Sequence, residues 1–473
     1  MPQKPVVYVP GFPASELFQQ STGRTVFPPS VRDLLSSEKK QRLVTLLAQP
    51  DPRRDIIAGP PIRRVTAIAK QAESLYDILR LRFGYTIDGG DNFRAVGWDW
   101  RFGIDDNVVQ TAIATAITQL SASSGSGVVV VIHSTGGLVF RRLLETQPQL
   151  AQHIDHVLAF GVPWAGNLKA LRYLTHGDAI GPFFAKLSAP QTRTVMRTAQ
   201  AAYDLCPPDP LQSPLVDASG TPLDLVTDSR GAQIGPMVMT TWIPAANLEM
   251  HTKAALAHQR LGARTNQITL GGHATPPITN IAGWGITTEV RAVMDASGGM
   301  TYNPLRRNRP VGDEQDGDGT VALKSAAWLT GPTVRTFVVP IGVYPTAGIP
   351  NAHPRIWDSP PLEQTFREVL LTTPAEPWVW AAADGNQALD RNSPVTIRLV
   401  AQDINGAPLP DARATLRLGT RPMTVAFGAS GRAEVLVRRG AMRANVANDL
   451  FRFTIDVEWG TSGRKELPVL IRV

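Results

Sequence analysis

Three side chains far apart in this 473-residue chain carry the residue types of acyl-transfer chemistry: Ser134, Asp318 and His353. Ser134 stands at the end of Val128-Val-Val-Val-Ile132-His133 and is followed by Thr135-Gly136-Gly137. The apolar run reads as a strand buried on both faces, and the residues after Gly137 read as a helix with Leu138, Leu143 and Leu144 on its apolar side. A serine on so sharp a strand-to-helix turn presents its hydroxyl above the sheet. It also sits at a helix N-terminus, where free backbone N–H groups favour developing negative charge. Such a hydroxyl is a nucleophile if a base takes its proton and an acid orients the base.

Eight histidines could supply the base. His133, next to the serine, is read as pointing away from it. His153 and His156 fall on a helix-to-strand connection and read as structural. His176, His251, His258 and His273 lie in a long irregular segment. His353 follows the apolar run Val334–Ile341, in the Gly/Pro/Asn-rich loop Ala347-Gly-Ile-Pro-Asn351-Ala-His353, and is taken as the base. The acid is sought one strand earlier, in Gly312-Asp-Glu-Gln-Asp316-Gly-Asp318-Gly-Thr320. Asp313, Glu314, Asp316 and Asp318 compete there. Asp318, between two glycines that permit a tight turn, is the first choice and Asp316 the second. A calcium loop does not fit, because no Glu stands at the twelfth position after any of these aspartates. The developing oxyanion would be met by two backbone N–H groups. One is that of Thr135; the other, nominated from Val9-Pro10-Gly11-Phe12 after an early strand, is that of Phe12.

The elements that must position these groups follow from the hydrophobic pattern. Strand-like runs occur at Val6–Val9, Phe93–Trp98, Val128–Ile132, Val157–Val162, Ile278–Ala282 and Val334–Ile341. Helical patterns separate them, notably one capped by Asp106 that carries Val109, Ala112, Ile113, Ala116, Ile117 and Leu120, and one from Leu362 to Leu371. Alternating strands and helices predict an α/β fold with a mostly parallel sheet. A segment at about 167–275, rich in Pro, Ala and Thr, is expected to form a cap or lid over it. Beyond Ala375 the pattern changes to short alternating segments: Val395–Gln402, Ala414–Leu418, Met423–Phe427, Ala433–Val437, Phe451–Glu458 and Leu467–Val473. The expected organisation is an α/β domain at 1–376, a linker at 377–390 and an all-β sandwich at 391–473, whose stretch Asp403-Ile-Asn-Gly406-Ala-Pro-Leu-Pro410 resembles the opening strands of immunoglobulin-like or carboxypeptidase-regulatory-like domains. The sandwich is expected to serve as a spacer or as a binding module for a protein or surface.

Composition narrows the classes further. Hydrophobic residues make up 43% and charged residues 18%, as in a folded globular chain. The net charge of +7 comes from scattered basic residues without blocks, so nucleic acid is not an expected partner. The single cysteine, Cys206, excludes an intrachain disulfide. The start of the chain lacks the apolar core of a signal peptide and no stretch reaches the roughly 18 apolar residues of a spanning helix. A soluble, cytoplasmic protein with at most peripheral membrane contact is expected, with no metal or cofactor.

The turn around Ser134 is a variant of the G-x-S-x-G nucleophile elbow of the α/β-hydrolases, with Ile132 in place of the first glycine. Six segments in order extend the resemblance over about residues 5–372. They are Val6-Val-Tyr-Val-Pro10-Gly11, Gly97-Trp98-Asp99-Trp100-Arg101, His133-Ser134, Gly161-Val-Pro163-Trp164-Ala165-Gly166, Asp316-Gly-Asp318-Gly-Thr320-Val321, and His353. Together they resemble the lecithin:cholesterol acyltransferase and lysosomal phospholipase A2 family. The resemblance implies an α/β-hydrolase with a cap and mobile lid that cleaves a fatty-acyl ester and passes the acyl group to water or an alcohol. By it, Ser134 is the nucleophile, Asp318 the acid, His353 the base, and Phe12 falls at the oxyanion position. Trp98, Trp100 and Trp164 follow strands at the same face and are candidates for the substrate pocket, or for core packing alone. Asp99 and Arg101 are read either as an ion pair holding that wall or as a purely structural pair. The chain departs from the family at Ile132, in lacking a lid disulfide, and in its C-terminal β domain. A peptidase or polyester hydrolase would use the same triad. A non-catalytic scaffold acting as a binding protein is the alternative of a different class.

Overall fold

A computed structural model describes residues 3–472 apart from 35, 49–54, 65–71, 88, 178–186, 208–214, 222–264, 297–298, 303–304, 307–308, 311–315, 342–352, 360, 384–394, 418–421, 438–445 and 448–449. Six strands form its central sheet: β1 (Val6–Val9), β2 (Phe93–Ala95), β3 (Val128–His133), β4 (Ile154–Phe160), β5 (Ile278–Trp284) and β6 (Val334–Pro340). All neighbouring pairs are parallel, in the spatial order β6-β5-β4-β3-β1-β2. The chain therefore steps outward in one direction from β1 to β2 and in the other from β3 to β6. The reversal lies between β1 and β3, the position at which open α/β sheets generally place their ligand site.

The period of two along each strand sorts side chains onto the two faces. Val128, Val130 and Ile132 join one core cluster with Val7, Val9 and Ala159. Helices α2 (Asn107–Ser124) and α3 (Gly136–Thr146) cover that face with Val109, Ile113, Ile117, Leu138 and Leu143. Val129 and Val131 join the other cluster with Val6, Tyr8, Leu158 and Phe160. Here α1 (Glu73–Phe83) and α5 (Pro361–Leu370) supply Leu75, Leu79, Leu362 and Phe366. Helix α2 begins where Asp106 accepts from the Val108 N–H and ends at Gly125 in the left-handed conformation, as a side-chain N-cap and a glycine C-cap dictate.

The expected strands appear with shifted ends. The Phe93–Trp98 run forms a ladder only to Ala95, because Trp98 leaves it to donate its indole N–H to the Pro10 carbonyl at 2.9 Å. Of the expected cap, α4 (Leu168–Thr175), a helix at Ala189–Thr198 and a short one at Gln200–Asp204 are described. His251 and His258 lie outside the described residues.

C-terminal to α5, two antiparallel sheets share one core. Trp378–Ala383, Val395–Gln402 and Arg432–Val437 make the first. Arg413–Leu416, Met423–Ala426, Leu450–Trp459 and Gly463–Arg472 contribute to the second. Val379, Ile397 and Leu399 from one meet Leu416, Ile455 and Val457 from the other. Residues 378–383, expected in a linker, thus pair along their whole length with Val395–Gln402. The stretch Trp-Val-Trp-Ala-Ala-Ala has too little polar alternation to announce a strand, and its partner across the sheet decides its conformation.

Candidate active site

Ser134 lies at the carboxyl end of β3, beside the point where the sheet order reverses. Its φ is 52°, a left-handed conformation that a residue with a Cβ rarely adopts. The Ser134 N–H donates to the Phe160 carbonyl at 3.0 Å and the Ser134 carbonyl accepts from the Gly137 N–H at 2.9 Å. The turn is close to its neighbours. A Cβ on Gly11 would stand 2.5 Å from the Ser134 Cβ and 3.1 Å from its Oγ, and one on Gly136 would meet the Pro10 and Val9 carbonyls at 2.5 and 2.6 Å. Close approach is thus served by Gly11 and by the glycine after the serine. Ile132 is fully buried, and its ladder partners are Val9 and the small Ala159.

Asp318 sits in a turn that follows the two-residue strand Asp316–Gly317, which pairs with Ile286–Thr287 just beyond β5. Its Oδ1 accepts from the Thr320 and Val321 N–H groups at 3.0 and 2.8 Å. Its Oδ2 lies 2.6 Å from Nδ1 of His353, the first residue of a short 3-10 helix, His353–Asp358. Burial pushes the Asp318 carboxyl up, but the His353 ring and the two N–H donors outweigh it and hold the group below the usual carboxylate range. Both residues are buried. A Cβ on Gly161 would meet Asp318 Oδ2 and His353 Cε1 at 3.0 Å each, so the residue after Phe160 is the floor on which the pair rests. The preceding residue, Phe160, is the one that holds the Ser134 N–H. Asp313 and Glu314 lie outside the described residues.

The remaining expected residues surround this point. Phe12 is half-buried, its ring edge-on to Trp100 at 5.3 Å. Thr135 is fully buried and precedes α3. The Trp98 N–H donates to Ser15 Oγ at 2.9 Å while its indole holds the Pro10 carbonyl, which fixes the Pro10-Gly11 turn. The Trp164 indole donates to Asn280 Oδ1 at 3.0 Å. All three tryptophans are at most 1% exposed. Asp99 and Arg101 form a buried bidentate pair, at 2.9 Å (Nε to Oδ1) and 2.6 Å (Nη2 to Oδ2). The same guanidinium donates to the Ile56 and Leu46 carbonyls at 3.3 Å, so it fastens a neighbouring strand and helix to this loop. Among the described residues no group of three or more His, Cys, Asp or Glu could hold a metal ion. No helix among them is long and apolar enough to cross a membrane.

His133 also packs against this site. Its ring is 2% exposed and lies 4.7 Å from the His353 ring, with Nε2 3.1 Å from the His353 carbonyl oxygen. Its place at the end of a strand buried on both faces was the signal, since a polar ring there must find a buried partner.

The sheet order, the left-handed serine and the glycines that crowd it define an α/β-hydrolase. Residues 66–242 match the lecithin:cholesterol acyltransferase family. The lysosomal phospholipase A and acyltransferase of Canis lupus familiaris is 34% identical over 92 residues, 19% of this chain and 22% of that protein. The phosphatidylcholine-sterol acyltransferase of Mus musculus is 29% identical over 120 residues, 24% of this chain and 27% of that protein. The resemblance to this family is therefore borne out over that part of the chain, which spans only about a quarter of these curated relatives' length. A Bacillus licheniformis lipase crystallised in propeptide form superposes over 99% of this chain and 93% of its own, with a TM-score of 0.32 and 10% identity.

Proposed function

We propose that the protein is a serine ester hydrolase with acyl-transfer capacity, acting on lipid-like acyl esters through Ser134, His353 and Asp318. The observation that carries this reading is the buried 2.6 Å contact between Asp318 and His353, resting on the turn whose preceding carbonyl anchors Ser134. With Nδ1–H given to Asp318, the Nε2 of His353 is left to act as base. In this mechanism Ser134 Oγ attacks the ester carbonyl carbon as its proton passes to His353 Nε2. Asp318 stabilises the imidazolium so formed. The N–H groups of Phe12 and Thr135 hold the oxyanion, and losing one such donor costs roughly 3 kcal/mol in this chemistry. Collapse expels the alcohol, which leaves with the proton from His353, and an acyl group remains on Ser134. Water or a second alcohol then attacks that ester, its proton passing to His353, and Ser134 is regenerated. Trp98, Trp100 and Trp164 back the acyl pocket in this reading. The lipid-like substrate is supported by the names of the relatives, a phospholipase and a sterol acyltransferase.

Fluorophosphonate labelling tests the nucleophile directly. Wild-type protein is expected to take up one probe and Ser134→Ala none; a variant that labels like wild type refutes the assignment. p-Nitrophenyl esters of graded chain length test the substrate class, with turnover expected to rise toward long acyl chains.

A further inference from the structure

The carbonyl of His353 can only accept, so the proton in its 3.1 Å contact with His133 belongs to His133 Nε2. The His133 ring is wedged between His353, at 4.7 Å and 31°, and Trp357, at 5.2 Å. Trp357 is held in turn by Phe160 at 4.6 Å and Tyr8 at 6.1 Å, so the His133 ring has nowhere to swing. We infer that His133 is a positioning residue: its Nε2–H grips the backbone of the base from the residue adjoining the nucleophile. This inference rests on the triad reading above. His353 is then fixed at both ends, its ring by Asp318 and its main chain by His133. Burial first, and then the neighbouring His353, press the His133 ring down to a pKa of about 3. It therefore stays neutral and does not oppose the imidazolium that forms beside it during turnover.

The test compares His133→Gln with His133→Asn. The glutamine amide nitrogen reaches about as far as Nε2, whereas that of asparagine stops one bond short. H133N is expected to lose about 10²-fold in kcat, the effect of a misplaced catalytic group, with KM nearly unchanged. H133Q is expected to recover most of that loss, and the two variants should melt together. His133→Met, as long as glutamine but without a donor, takes the place of H133N if that variant does not fold. Equal kcat in H133Q and in H133N, or in its substitute His133→Met, overturns the inference while leaving the triad standing, provided Ser134→Ala is inert. If Ser134→Ala still turns over ester, the triad reading fails and the role of His133 falls with it.

Discussion

At Ser134 the backbone is held at φ 52°, where a side-chain-bearing residue costs of order 1–3 kcal/mol. The surroundings over-determine this conformation. Phe160 accepts from the Ser134 N–H, Gly137 donates to its carbonyl, and Gly11 lies so close that it admits only hydrogen. A methyl group at position 11 would overlap the Ser134 Cβ at 2.5 Å, and neither partner is the far end of a flexible side chain. Either the turn or the Pro10-Gly11 segment must move, and the latter carries the Phe12 N–H. Gly11→Ala is expected to fold but to label with fluorophosphonate about 10²-fold more slowly, the scale of a displacement of about 1 Å at a catalytic group. Labelling rates measured under pseudo-first-order conditions check this. An unchanged rate would mean that position 11 has no part in presenting the hydroxyl.

The strands carry two histidines that the fold holds neutral. His133 ends β3, and His156 lies on β4 with its Nε2 2.9 Å from Thr279 Oγ1. Burial and then the nearby Arg335 press His156 down to about 4, as burial and His353 press His133 to about 3. In the unfolded chain both titrate near 6.5. The unfolded state therefore holds more protons as pH falls from about 6.5 toward 4, and stability drops through that window. The limiting slope is about 1.4 kcal/mol per pH unit for each ring, less for the half-buried His156. Stability from these rings is fully present above pH 6.5, before carboxylates such as Asp318 and Glu73, held below their usual range, begin to protonate. Urea melts at pH 7.5 and 5.0 should show the loss, and His156→Gln, which keeps a hydrogen-bonding group toward Thr279, should lessen it. Melts independent of pH in this interval would contradict the buried neutral state. The same strands show what the sequence discloses. Continuous valine runs and helical periodicity announce the sheet and its two helix layers, because burial on both faces leaves no other use for such runs. Ser134 is legible from the turn that follows its strand, and His353 and Asp318 from their place after later ones. For His133 only the need for a buried partner is legible, since the partner is 220 positions away and only the returning chain brings the two rings together. Trp378–Ala383 is not legible, because three consecutive alanines carry no alternation.

The central sheet ends on one side at β6, an edge whose outward N–H and C=O groups need partners. The C-terminal sheets supply them with side chains. Gln402 Oε1 accepts from the Val338 N–H at 2.9 Å, and the Trp378 indole donates to the Val338 carbonyl at 2.8 Å. Trp378 also stacks on Phe337 at 4.7 Å and joins the same core cluster as Leu362 and Phe366. The β domain thus ties into the hydrolase core. Removing the Gln402 amide leaves the Val338 N–H half-buried without its acceptor, a loss of about 1–3 kcal/mol. Gln402→Ala should therefore lower the melting temperature of the hydrolase part. Calorimetry should show one coupled transition in the wild type, shifted downward in the variant. Two transitions, with the hydrolase melt unmoved by the substitution, would show that the β domain folds as an independent appendage and that the edge of the sheet is protected without it.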